Sequence, residues 1–148
     1  MKRQIAALSL AYVLLMIIPL QGIAAWQEDS RHESENVIVQ DILLLLLSGP
    51  IEKAVNAYYA PFMTDTPMVY PYQVDVVKAE RINGFHFRLT LETTPVVGPH
   101  ISVGKDRLTF EIAPTIPEQV KLEKYEHLET HELPPHWQHI IRKDKDSH

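Results

Sequence analysis

The chain of 148 residues has no cysteine and only five glycines, and its 14 lysines and arginines are outnumbered by 19 acidic residues. The missing thiol excludes disulfide staples, thiolate metal sites, thiol nucleophiles and dithiol redox chemistry. Without crosslinks, stability must come from an apolar core, and one domain of this length can bury one. The formal charge of −5 leaves no electrostatic footprint for nucleic acid or for an anionic lipid surface. No glycine-rich phosphate loop is present, nor the G-x-S-x-G turn that exposes a hydrolase serine. Internal repeats and low-complexity segments are also absent.

What is present begins at the N-terminus. Lys2 and Arg3 precede the apolar run "IAALSLAYVLLMIIPL", which passes through Pro19 and Gly22 to small residues and then to the polar "WQEDS". That order is the pattern of a secretory signal peptide, residues 1–24, with cleavage expected near Ala24 or Ala25. Its removal takes Lys2 and Arg3 and no acidic residue, so the charge becomes −7. The competing reading is an uncleaved anchor, since the apolar stretch just reaches spanning length. Membrane contact is expected only through this segment. The mature protein is expected to be secreted or to stay at the cell envelope, where its partner is unknown. A cysteine-free export suits a Gram-positive secretor.

Residues 25–40 are polar and without periodicity at first, and are expected to form a flexible arm. One α+β domain is expected over residues 41–143, with residues 144–148 a disordered tail. Five leucines, Leu43 to Leu47, favour helix over strand. Gly49-Pro50 should break that helix, with Ser48 capping a second segment. Beyond the break Ile51, Ala54, Val55, Tyr58 and Tyr59 form one apolar stripe, and Pro61 ends it. The period then switches to two. Val74 and Val76 alternate with Asp75 and Val77, Asn83-Gly84 reads as a hairpin turn, and Phe85, Phe87, Leu89 and Leu91 should face inward on the return. Leu108, Phe110 and Ile112 mark a third strand and "VKLEKYEHLET" a fourth, in which Val120 and Leu122 point one way. Pro134-Pro135 starts a short C-terminal helix carrying Trp137, Ile140 and Ile141. The expected architecture is a helix, broken at Gly49-Pro50, packed on a four-stranded, mostly antiparallel sheet.

Chemistry is harder to find. Eight histidines invite a metal, and His131-Glu132 starts like H-E-x-x-H, but the next histidine is His136 and two prolines intervene. His136 and His139 could share a helix face and are the candidate metal pair; solvated surface histidines are the favoured reading. No cofactor is expected. Ser102 lies near His100 and Asp106 in sequence, but spacing alone does not make a triad. The loop around "VVGPHISVGKDR" gathers His100, Lys105, Asp106 and Arg107, which with Tyr58 and Tyr59 are the candidate ligand-binding residues. Competing with this, Gly98-Pro99 and Gly104 suit turns, and Asp106 could accept hydrogen bonds from loop amides, or pair with Arg107 or Lys105, merely to hold the bend. A cystatin-like layout would suggest a protease inhibitor, yet "QVDVV", Gln73 to Val77, does not match the Q-x-V-x-G hairpin, so that idea rests on fold analogy.

The segments "PIEKAVNAYYAP", "VVGPHISVGKDRLTFEI" and "YEHLETHELPPHWQHIIRK" resemble a family of small exported proteins of spore-forming Gram-positive bacteria, domain of unknown function 3888. The resemblance runs from about Asp41 to Lys143. Val97 to His100, Val103 to Asp106 and Leu133 to His136 are its specific parts. It implies export and a single domain, and it implies no activity. The favoured reading is a non-enzymatic binding module of unknown function acting outside the membrane. The alternatives are a metal-assisted hydrolase using the C-terminal histidines and an inhibitor of an exported protease.

Overall fold

The computed structural model describes residues 19–142, with side chains from Glu35 to Arg142. The expected signal peptide lies largely, and the tail 144–148 wholly, outside the described residues. The chain divides into two units, one ending at Ile42 and one beginning at Leu43. Helix α1 runs Pro19–Tyr59. Its part up to Ile42 is helical where an irregular arm was expected, in keeping with the good helix formers Gln27, Glu28, Arg31, Glu33 and Glu35. Val37, Ile38, Val39 and Ile42 are exposed there. Among the described residues no helix is long and apolar enough to cross a membrane.

In the second unit the expected break is not a break. α1 continues through Pro50, and Ser48 Oγ donates to the Leu45 carbonyl at 2.9 Å instead of capping a new helix. An interior proline costs about 3 kcal/mol, because it removes one backbone hydrogen bond and crowds the preceding turn. Leu44, Leu47, Ile51, Ala54 and Val55 are buried on both sides of it, and burying a large aliphatic side chain is worth roughly 1.5–3 kcal/mol. One continuous stripe outweighs one missing bond.

Four strands cover that stripe: β1 (Val74–Asn83), β2 (His86–Thr93), β5 (Gly104–Ile112) and β6 (Val120–Thr130), in the order β1-β2-β5-β6 and all antiparallel. A separate small ladder joins β3 (Val96–Val97) to β4 (Ile101–Ser102). Leu89, Leu91, Leu108 and Phe110 form the centre of the core with Leu47, Ile51, Val55 and Tyr59 of α1. The fold is therefore α+β, a helix on a four-stranded antiparallel sheet. The C-terminal element, Pro135–Ile140, is a 3₁₀ segment that buries Ile140.

Two details of the expected strands change. Asn83 pairs with His86, so the hairpin loop is Gly84-Phe85, and only Gly84 there has positive φ, +44°. Phe85 therefore sits in the turn at 79% exposure and is not part of the inward row. β6 does not alternate evenly. Leu122 pairs with Phe110 and Lys124 with Thr109, leaving Glu123 as an extra residue; Asp106 pairs with His127 and Lys105 with Glu129, leaving Leu128. Each β-bulge inserts one residue and reverses which parity faces the core. Tyr125 and His127 consequently share the helix-facing side with Val120 and Leu122.

Candidate functional site

Asp106 is the starting point, because a fully buried carboxylate is costly unless hydrogen bonds surround it. β5 alternates, so Asp106 faces α1 beside Leu108 while Lys105 and Arg107 face the other way. Tyr59, near the end of α1, donates its hydroxyl to Asp106 Oδ2 at 3.0 Å. His127 Nδ1 lies 2.7 Å from Asp106 Oδ1. A carboxylate only accepts, so Nδ1 carries a proton and the imidazole is held edge-on to Asp106. The opposite nitrogen, Nε2, is 2.7 Å from Thr130 Oγ1. The result is a line of three groups: carboxylate, imidazole, hydroxyl.

Tyrosines box this line in. The Tyr58 ring stacks on His127 at 5.1 Å between centroids and on Tyr125 at 4.7 Å. Tyr59 meets Tyr58 edge-on at 5.0 Å. Burial, then the Asp106 charge, pushes the Tyr59 and Tyr125 phenols well above the ordinary tyrosine range, and Tyr58 shifts the same way. Tyr125 Oη is buried without a hydrogen-bond partner of good geometry.

Gly104 makes this packing feasible. A Cβ there would lie 2.5 Å from the Glu129 carbonyl, 2.6 Å from the Tyr59 hydroxyl and 3.0 Å from the His127 ring. Its φ is not in the left-handed region. The glycine serves close approach, not the turn chemistry expected of it. Gly98 does serve a turn, with φ +49°, and a side chain there would also collide with the Trp137 ring.

His127 and Thr130 open into a cavity of about 260 Å³. Phe62, Met63, Val103, Leu133 and Ile141 supply its apolar wall. Tyr58, Tyr59 and His131 complete the lining. His131 Nδ1 lies 2.6 Å from Ser102 Oγ, and its Nε2 is 3.5 Å from an exposed Glu129 carboxylate.

The six candidate ligand-binding residues thus separate. Tyr58, Tyr59 and Asp106 come together. Lys105 and Arg107 project from the opposite sheet face, both onto Glu92, at 2.7 and 2.6 Å. Their hydrogen bonds, Lys105's first, hold the Glu92 carboxyl below the usual carboxylate range. Asp106 therefore pairs with neither of its sequence neighbours. His100 lies in the β3–β4 turn with φ +62°, stacked on Tyr70, its Nδ1 3.1 Å from the Tyr72 hydroxyl. His136 and His139 flank Trp137, and His139 Nδ1 donates to the His136 carbonyl at 2.9 Å. Among the described residues no three metal-ligating side chains gather. Sequence reasoning missed His127, Thr130 and Tyr125 as companions of Asp106. Periodicity gives no signal for this grouping, because the extra residues Glu123 and Leu128 set which of these side chains face the helix.

A helix on an antiparallel four-stranded sheet, with a polar triplet at the mouth of an apolar cavity, defines the class of domain. A family profile described as "Protein of unknown function (DUF3888)" matches residues 39–129, and the chain belongs to that family. The matched stretch contains Tyr59, Asp106 and His127 and stops short of Thr130 and of the Leu133 to His136 segment. No curated protein and no solved structure matches the chain.

Proposed function

We propose that this protein is a small-ligand binding module that acts outside the membrane after export, with the Tyr58–His127–Thr130 cavity as its contact site. The observation that carries the binding half is the pairing of an apolar wall with a few convergent polar groups, which is how ligand sites are built. At about 260 Å³ the cavity lies just under the range of drug-sized sites, so it suits a fragment such as a short acyl chain or one apolar side chain of a peptide. The charge balance argues for a neutral polar handle on that ligand. Asp106 behind His127, and Glu129 beside His131, put negative charge next to both imidazoles, so an anion gains little there. The export half rests on Lys2, Arg3 and the apolar run that follows them.

Two measurements test it. Protein recovered from the medium of an expressing Gram-positive host should begin at Ala25 or Trp26 by intact mass; retention of residues 1–24 in the cell membrane defeats the export half. A fragment library screened by NMR should shift resonances of Tyr58, Val103 and Thr130. Ile141→Trp, placed at the cavity rim, should abolish those shifts. Fragments that bind elsewhere, or bind the plugged variant equally well, defeat the binding half.

A further inference from the structure

The geometry points to a chemical role for the same cavity, beyond binding and resting on it: Thr130 Oγ1 is an acyl acceptor, activated by His127 and oriented through Asp106, for small esters whose acyl chain occupies the apolar wall. Three observations combine. The Asp106 Oδ1 to His127 Nδ1 and His127 Nε2 to Thr130 Oγ1 distances are both 2.7 Å, so one imidazole bridges a buried carboxylate and an accessible hydroxyl. With the Nδ1 proton directed at Asp106, Nε2 is the nitrogen that accepts a proton in the neutral ring, and the Thr130 hydroxyl is the proton within its reach. Thr130 is exposed and lines the cavity, so an ester carbonyl can approach its oxygen. This is the relationship of orienting acid, base and nucleophile that acyl-transfer sites share irrespective of fold.

The neighbouring Ser102–His131–Glu129 group has the same order but a weaker geometry, with an exposed and more distant acid and a serine outside the cavity. His131 presents Nδ1 to the serine, its Nε2 faces an exposed glutamate at 3.5 Å, and Ser102 is not part of the cavity wall.

The step balances without any co-reactant beyond water. Thr130 Oγ1 attacks the ester carbonyl as its proton passes to His127 Nε2, and charge develops on the carbonyl oxygen inside a wall that carries the Tyr58 and His131 side chains. The bond to the leaving alcohol breaks, and His127 returns the proton to that alcohol. Water then attacks the acyl-threonine carbonyl as its proton passes to His127 Nε2; the Thr130 Oγ1–acyl bond breaks, His127 returns the proton to Oγ1, and the carboxylic acid leaves. Asp106 touches no reacting atom; it is a positioning residue that keeps Nε2 aimed at Thr130.

The test incubates the full chain with p-nitrophenyl butyrate and follows p-nitrophenolate release together with peptide mass mapping. Release should exceed that of Thr130→Val, which keeps the side chain's shape, by at least tenfold, and the butyryl adduct should map to Thr130. His127→Gln should lose the same factor. Asp106→Asn should lower kcat at unchanged KM; a rise in KM alone would reduce Asp106 to scaffolding and overturn its assigned role. Equal release by Thr130→Val, or an adduct on Ser102, His131 or a lysine, overturns the proposal. If the fragments of the binding screen still shift Tyr58 and Val103 while no acylation occurs, the acyl-acceptor role fails and the binding reading stands. If neither occurs, both fail.

Discussion

Removing the Tyr59 hydroxyl is the most direct probe of the Asp106 cluster. Tyr59→Phe keeps the ring, which is 5% exposed, and its edge-on contact with Tyr58, so core volume is unchanged. What disappears is one 3.0 Å hydrogen bond to Asp106 Oδ2, on a carboxylate with no solvent exposure. A hydrogen bond to a charged group contributes about 1.5–3 kcal/mol, and leaving its buried acceptor bare sets the loss toward the upper part of that span. One compensation exists. Tyr125 Oη is buried, unpartnered and close enough to Asp106 to feel its charge, so a small rotation could supply a replacement donor. We therefore expect about 1.5–2 kcal/mol for Tyr59→Phe. The double variant Tyr59→Phe/Tyr125→Phe should lose more than the two single variants added together, because neither ring can then rescue the other. Urea unfolding followed by tyrosine fluorescence reads both through the midpoint at constant m-value. A loss under about 0.5 kcal/mol in Tyr59→Phe, with simple additivity in the double variant, would refute the claim that Asp106 is held by the tyrosines.

Two further outcomes follow from the same geometry. Gly104→Ala should destabilise the fold by about 1–3 kcal/mol, as overpacking does, because its Cβ would meet the Glu129 carbonyl and the Tyr59 hydroxyl at 2.5 and 2.6 Å; a melting temperature equal to the parent's would mean the β5–β6 approach is looser than described. Glu92→Gln should lower the melting temperature at neutral pH. Because the Glu92 carboxyl is depressed in the fold, its contribution exists above the ordinary glutamate range and fades as pH falls through the depressed value, so the two melting curves should converge in acid. A gap that persists unchanged in acid would show that Glu92 acts by packing and not through Lys105 and Arg107.

The main elements could be read from residue order because their signals are local. The i, i+3, i+4 stripe of Ile51, Ala54 and Val55 and the alternation of Leu89 with Leu91, or of Leu108 with Phe110, each require only a few consecutive residues, and burial follows directly. Local rules failed where tertiary burial overrode them. Pro50 should end a helix, but the apolar stripe it interrupts is covered on both sides. Phe85 should face inward by parity, but the two-residue loop places it at the turn.

The candidate site belongs to what pairing alone decides. Asp106 and Tyr59 stand 47 positions apart, and Asp106 and His127 stand 21 apart. Tyr59 reaches Asp106 from the helix, His127 joins it because the extra residue Glu123 in β6 reverses which side chains face the helix, and the extra residue Leu128 does the same for Thr130. A bulge has no signature in periodicity, since it exists only relative to a partner strand. Composition and order were therefore enough to establish a crosslink-free helix-and-sheet domain. Only strand register could bring a carboxylate, an imidazole and a hydroxyl into one line.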